Sequence, residues 1–306
     1  YNEYPVILLA SEKLGRPVKW TADRTESMLS DHMGRGSVYD AELALDDKGK
    51  FLAVKVSGLA NMGGYLTGTG PHAQTVNVFK NITCMYQTPY IDVNMRCVFT
   101  NTTYVGAYRG AGRPEGNYIM ERLVDTAARE IGMDPIEIRR KNLIPSDAMP
   151  YTAASGQIYD SGDFEPILDK ALLTSDWNGF LNRRKKSEEN GFIRGIGICA
   201  YLEVSAPSGK EMGGLRFGND GRVTIVSGTL DYGQGHRAAF AQILSARLGI
   251  PFESIDLLQG DSDELIIGGG TGGSRSVIAE SGAIYETVDK VIEKGRAVAG
   301  HILEAS

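Results

Sequence analysis

Cysteine is scarce in this chain. Cys84, Cys97 and Cys199 are the only three in 306 residues, an odd number at no metal-ligand spacing. That pattern excludes a disulfide framework and a zinc site, and it suits a reducing, cytoplasmic setting. No run of about eighteen apolar residues is present, which excludes a membrane-spanning helix, and no signal peptide is evident. The first residue is Tyr1 rather than methionine, so the start of the protein is expected upstream. Positive charge never gathers either: the net charge is −6 and the pI is near 5.4. The densest basic cluster, Arg183–Lys186, sits beside Glu188 and Glu189 as a solvated helix face. Nucleic acid and anionic membrane are excluded as main partners.

What the chain does have is ordinary bulk and much glycine. With 306 residues, 42% hydrophobic and 23% charged, it can form two domains with sizeable cores. Its 38 glycines exceed the average usage of about 7% and follow no period, which excludes collagen-like and low-complexity readings.

Taken in order, Tyr4–Leu14 reads as a helix stopped by Gly15, followed by a short strand at Val18–Thr21. The alternating runs Val38–Leu45 and Lys50–Leu59 flank Asp46-Asp47-Lys48-Gly49 and predict a β-hairpin. The glycine-rich Gly63–Gly70 lacks a phosphate-loop lysine and reads as a surface or channel-lining loop. A strand at Asn94–Phe99 and a helix at Tyr118–Ile131 follow, then a helix opened by the capping box at Asp134–Glu137. Residues 151–190 are polar, with a short helix near Ile167–Leu173, and read as a crossover between domains spanning 1–150 and 191–306. The second domain is predicted to hold a strand at Phe192–Val204, a hairpin from Leu215–Phe217 onto Arg222–Ser227, a helix at Arg237–Leu248, a strand at Ser254–Leu258 and a long helix at Val277–Glu304. The fold class is α+β, built of two mixed α/β domains.

Three loops of small residues each lead directly into a helix. They are Gly106–Glu115 (GAYRGAGRPE), Gly228–His236 (GTLDYGQGH) and Gly268–Ser276 (GGGTGGSRS). Glycine lets backbone approach a ligand closely, and the first helical turn offers unpaired N–H groups and a partial positive charge. The same arrangement also serves as a plain strand-to-helix connection. None of the loops fits G-x-G-x-x-G between strand and crossover helix, or G-x-x-x-x-G-K-[ST], so neither a Rossmann site nor a Walker A loop is supported. Three such loops over two domains point to one extended polyanionic cofactor in the cleft between them.

AYRGAGRPE at Ala107–Glu115, DYGQGH at Asp231–His236 and TGGSRS at Thr271–Ser276 resemble the molybdopterin-binding subunit of the xanthine dehydrogenase and aldehyde oxidase family. The likeness is greatest to the large chain of aerobic carbon monoxide dehydrogenases in its AYRGAGR form. The resemblance implies a cofactor, molybdopterin cytosine dinucleotide with molybdenum held by its dithiolene, so no protein metal ligand is needed. It implies that Gln234 bonds the pterin beside Gly233, Gly235 and His236, and that Arg109 faces substrate and metal, with Gly110 and Ala111 in the same loop. Gly272 and Gly273 would pass close to the molybdenum, with Thr271, Ser274 and Ser276 near the phosphates.

Two departures bear on the substrate. Carbon monoxide oxidisers of this family carry Ala-Tyr-Arg-Cys-Ser-Phe-Arg, whose cysteine binds copper; here that position is Gly110. Purine oxidases carry an aromatic residue where this chain has Ala111. The resemblance implies hydroxylation of an aldehyde or N-heterocycle, or oxidation of carbon monoxide, with electrons passed to iron–sulfur and FAD partner subunits in an oligomer. Such enzymes use a glutamate base, expected in a motif beyond Ser306, as a phenylalanine-containing glycine loop is expected before Tyr1. Glu203, Glu211 and Glu280 are read as local structural groups and none is assigned as that base. The alternative reading is a non-catalytic fragment or split-subunit scaffold that completes a cofactor cleft with another chain.

Overall fold

The computed structural model describes residues 3–205 and 211–304 and divides the chain into two units, Tyr1–Glu203 and Val204–Ser306. The first unit opens with α1 (Glu3–Leu14) and α2 (Arg24–Ser30), the latter started by a reciprocal capping box between Asp23 and Glu26. β1 (Ser37–Leu45) and β2 (Phe51–Asn61) form the expected antiparallel hairpin. Asp46 makes its turn: its side chain accepts the N–H groups of Lys48 and Lys50, while Gly49 takes a φ of 80°. The chain then crosses through α3 (Gly70–Gln74) and α4 (Val76–Asn81) to β3 (Tyr90–Val98), which lies parallel to β2 on the side away from β1.

α5 (Arg113–Glu130) and α6 (Pro135–Asn142) complete the core of this unit. Phe51, Val54 and Val56 of β2 meet Val78 of α4, Met120 and Val124 of α5 and Ile138 of α6, all buried. Asp134 caps α6 by accepting the N–H groups of Ile136 and Glu137. The small strands β4 (Tyr151–Thr152) and β5 (Ile158–Tyr159) pair with each other. They are followed by α7 (Phe164–Thr174), whose Phe164 and Leu168 join the same core, and by the polar α8 (Phe180–Glu189).

Two elements differ from the sequence reading. Residues 18–21 form no strand, and neither do residues 192–204. In the latter segment Ile198, Ala200 and Leu202 do alternate onto the core. Their backbone, however, is held by side chains instead of a neighbouring strand. Arg139, fully buried, donates to Glu121 at 2.8 and 3.1 Å, to Asp125 at 2.8 Å and to the Ile198 carbonyl at 3.2 Å. Glu121 in turn accepts the Ala200 N–H at 2.9 Å, and the Asn117 amide brackets Leu202 on both its N–H and its carbonyl. Alternation was therefore a packing signal that ladder hydrogen bonds did not accompany.

The second unit is a three-stranded sheet with two helices. β6 (Gly213–Phe217) pairs antiparallel with β7 (Val223–Ser227), α9 (His236–Leu248) follows, and β8 (Ile255–Leu258) returns parallel to β7. α10 (Ser276–Leu303) closes it. Phe240, Ala241 and Leu244 of α9 pack on Val223, Ile225 and Ile255 of the sheet and on Ile284 and Val288 of α10. Gly249, at a φ of 70°, ends α9 where the sequence places its stop.

Candidate functional site

In the first unit the loop before α5 makes three consecutive left-handed residues, Gly110, Ala111 and Gly112, at φ 84°, 46° and 97°. Gly112 has no alternative, because a Cβ there would stand 1.8 Å from the Ala73 carbonyl oxygen. Gly110 is crowded as well, though less severely: its Cβ would lie 2.5 Å from the Pro114 ring. The turn therefore admits no side chain at 110 while Pro114 opens the helix.

Side chains fix this turn through its carbonyls. Arg35 donates to Arg109 O at 2.9 Å and lies over the Tyr108 ring, Asn77 donates to Ala111 O at 2.7 Å, and Arg113 donates to Gly110 O at 3.3 Å. Arg35 itself sits at φ 66°, a conformation that side chains usually avoid. The Arg109 side chain is left exposed. Arg35 and Asn77 were invisible to sequence reading, since they lie more than thirty positions away.

The other two loops come together within the second unit. Gly270 N–H donates to Gly228 O at 3.2 Å, Leu230 N–H donates to Thr271 Oγ1 at 3.3 Å, and Thr271 Oγ1 lies 2.9 Å from Ser276 Oγ. Thus Thr271, Gly272, Gly273 and Ser274 precede α10, and Ser276 opens it, beside the loop that holds Gly233, Gln234, Gly235 and His236 at the start of α9.

Asp231 shapes that loop. Its carboxylate accepts from Gly233 and Gln234 N–H at 2.6 Å each and from His236 N–H at 2.8 Å. These bonds, the one to His236 foremost, hold its pKa below the usual carboxylate value. The sequence leaves those donors for an anion, whereas the chain's own carboxylate engages them. The Gln234 side chain also bonds back, to Tyr232 N–H. The loop is preformed by its own residues.

Beneath it runs a buried polar chain. Ser227 Oγ donates to Glu280 Oε2 at 2.8 Å and lies 2.8 Å from Thr229 Oγ1. Gln259 Nε2 donates to Thr229 Oγ1 at 2.5 Å and stands 3.3 Å from His236 Nδ1. Burial raises the Glu280 pKa to about 7, the Ser227 bond opposes the rise, and the Glu211 charge adds to it. No sequence motif announces this chain.

The open faces of the loops are what a ligand would meet. A Cβ added at Gly233, Gly235 or Gly272 would have no protein atom within 4 Å. Positive φ accounts for the first two, at 102° and 76°, but Gly272 has neither a positive φ nor a crowded Cβ. A cofactor passing close to the backbone fits that surface. Among the described residues no group of three His, Cys, Asp or Glu side chains is arranged to hold a metal ion, and no helix is long and apolar enough to cross a membrane.

Comparison with known proteins agrees on the class. Two families, both described as molybdopterin cofactor-binding domain, match residues 1–143 and 170–306. The chain belongs to the molybdopterin-binding subunits of the xanthine dehydrogenase family. It is 34% identical over its whole length to subunit gamma of the 6-hydroxypseudooxynicotine dehydrogenase complex of Paenarthrobacter nicotinovorans, covering 39% of that protein. It is likewise 34% identical over its whole length to the carbon monoxide dehydrogenase large chain of Hydrogenophaga pseudoflava, covering 40%. Quinoline 2-oxidoreductase from Pseudomonas putida 86 superposes with a TM-score of 0.86 at 28% identity, over 98% of this chain and 40% of that one. The chain thus spans about two fifths of the length of these relatives.

Proposed function

We propose that the three loops hold molybdopterin cytosine dinucleotide and that the chain is the cofactor-binding part of a molybdenum hydroxylase acting on an aldehyde or an N-heterocycle, with electrons leaving to iron–sulfur and FAD partner subunits. The observation that carries the reading is the pairing of two small-residue loops, each at a helix N-terminus, tied to each other through Leu230 and Thr271, with Gly272 open where nothing in the chain requires glycine. Gln234 presents an amide to the pterin. Gly233, Gly235, His236 and the 271–276 loop meet the pyrophosphate side, and the backbone of Gly272 and Gly273 faces the metal end. The bound cofactor would supply oxygen-atom transfer and two-electron acceptance. The chain's contribution is placement: Asp231 pre-sets the loop, and Arg35 and Asn77 fix the turn from which Arg109 projects, so that its guanidinium orients a substrate carbonyl or ring nitrogen.

The relatives' names point to quinoline, 6-hydroxypseudooxynicotine and carbon monoxide. For this chain Gly110 disfavours the last, because the Pro114 ring fills the space a copper-ligating side chain would need. Gln234→Ala and Gly273→Val test the assignment. The first removes a ligand amide, and the second puts a β-branched residue at φ 68° against the cofactor. Both variants of the assembled enzyme are expected to purify with molybdenum occupancy lowered about tenfold. Full occupancy in both would move the cofactor elsewhere. The alternative, a split-subunit scaffold, predicts that an adjacent reading frame encodes the remaining length of the relatives.

A further inference from the structure

Glu203 ends the first unit and stands beside the Arg109 turn. Its Oε2 lies 3.6 Å from where a Cβ on Gly110 would be, and its Oε1 is 3.7 Å from Arg113 Nη1, the group that also donates to Gly110 O. Its place is set by rigid elements. The preceding residue, Leu202, is held by Asn117 of α5 at its N–H (3.2 Å) and carbonyl (3.1 Å) and by Asn81 of α4 at its carbonyl (3.2 Å). The carboxylate is nevertheless not used up. Its ion-pair partner is beyond hydrogen-bond length, no hydrogen bond reaches it among the described residues, and its side chain is 35% exposed. Burial raises its pKa and the Arg113 charge opposes the rise. A side chain at 110 would crowd the Pro114 ring and extend toward this carboxylate, so glycine there keeps position 110 from adding a group beside it.

We propose that Glu203 is a specificity-determining carboxylate of the Arg109 turn, accepting a hydrogen bond from a ring N–H or protonated amine while Arg109 donates to a neighbouring carbonyl or ring nitrogen of the same substrate. Resting on the function proposed above, it narrows the substrate to nitrogen compounds that carry a donor beside an acceptor. A group that only balanced the charge of Arg113 would affect all substrates alike.

The test uses the assembled enzyme with Glu203→Gln and Glu203→Asp. It compares kcat/KM for an N–H heterocycle, its N-methyl analogue and an aromatic aldehyde without donors. The ratio of N–H heterocycle to aldehyde is expected to fall roughly 10- to 100-fold in Glu203→Gln, the range for a hydrogen bond to a charged group, and to recover in part in Glu203→Asp. In the wild-type enzyme N-methylation is expected to lower kcat/KM at least about tenfold, a measurement independent of how the variants fold. A ratio that does not move in a molybdenum-loaded Glu203→Gln enzyme, an N-methyl analogue turned over as well as its parent, or turnover of carbon monoxide alone would overturn the role of Glu203. Wild-type enzyme lacking molybdenum and CMP would instead refute the cofactor reading.

Discussion

Gly112→Ala is expected to lower turnover of the assembled enzyme by at least about 100-fold. Two penalties act at that position. Left-handed backbone at φ 97° costs a residue with a side chain roughly 1–2 kcal/mol. The second penalty is larger, because the new Cβ would stand 1.8 Å from the Ala73 carbonyl oxygen, a backbone atom that cannot rotate away. Relief requires the Tyr108–Arg113 turn to shift by more than about 1 Å, and displacements of that size at a substrate-orienting group cost on the order of 100-fold in rate. Gly132→Ala isolates the first penalty, since Gly132 has a φ of 68° with nothing within 4 Å of its Cβ. Its enzyme is expected to lose about 1 kcal/mol of stability and to keep its activity. Steady-state rates of both variants with any substrate the wild type accepts check the pair, and equal losses would mean that the Ala73 contact is irrelevant.

Glu280→Gln is expected to alter the pH dependence of stability. In the folded protein this carboxyl stays protonated up to about pH 7, whereas its ordinary value is 4.5. Between those limits the folded state binds a proton that the unfolded state releases. Stability from this group is therefore full below pH 4.5, falls as pH rises to about 7 and is flat above. A shift of that size corresponds to about 3 kcal/mol. Glutamine preserves the Ser227 hydrogen bond and cannot ionise. The variant is expected to match the wild type near pH 4.5 and to exceed it by about 3 kcal/mol at pH 8. Glu211, before β6, faces the same carboxyl, and because its charge is one cause of the raised value, its coupling to Glu280 is part of the difference that the comparison reads. Denaturant unfolding at a series of pH values reads it, and parallel profiles would contradict it.

Sequence period was sufficient for the elements that bury one regular face. α9, its Gly249 stop, α10 and the β1–β2 hairpin stand where their apolar spacing and turn residues put them. α5 starts at Arg113, ahead of the expected Tyr118, because its first turn is Pro114 and Glu115 over a left-handed Gly112, with no apolar residue to mark it. The parallel β2–β3 pairing was not legible, since the crossover runs through helices of five and six residues, too short to show a period. The three loops were legible as loops. Their supports were not: Arg35, Asn77 and Gln259 reach them across 23 to 74 positions, and pairings at such distance leave no local pattern.

Metal and nucleotide analysis of the intact purified complex tests the central claim most directly. If the proposed cofactor is bound, mild acid should release CMP, with molybdenum present in equal amount and copper absent at any stoichiometric level, since the Pro114 ring crowds the position of a copper-ligating side chain at Gly110. Copper at one per molybdenum, or a complex with neither molybdenum nor CMP, would contradict the account.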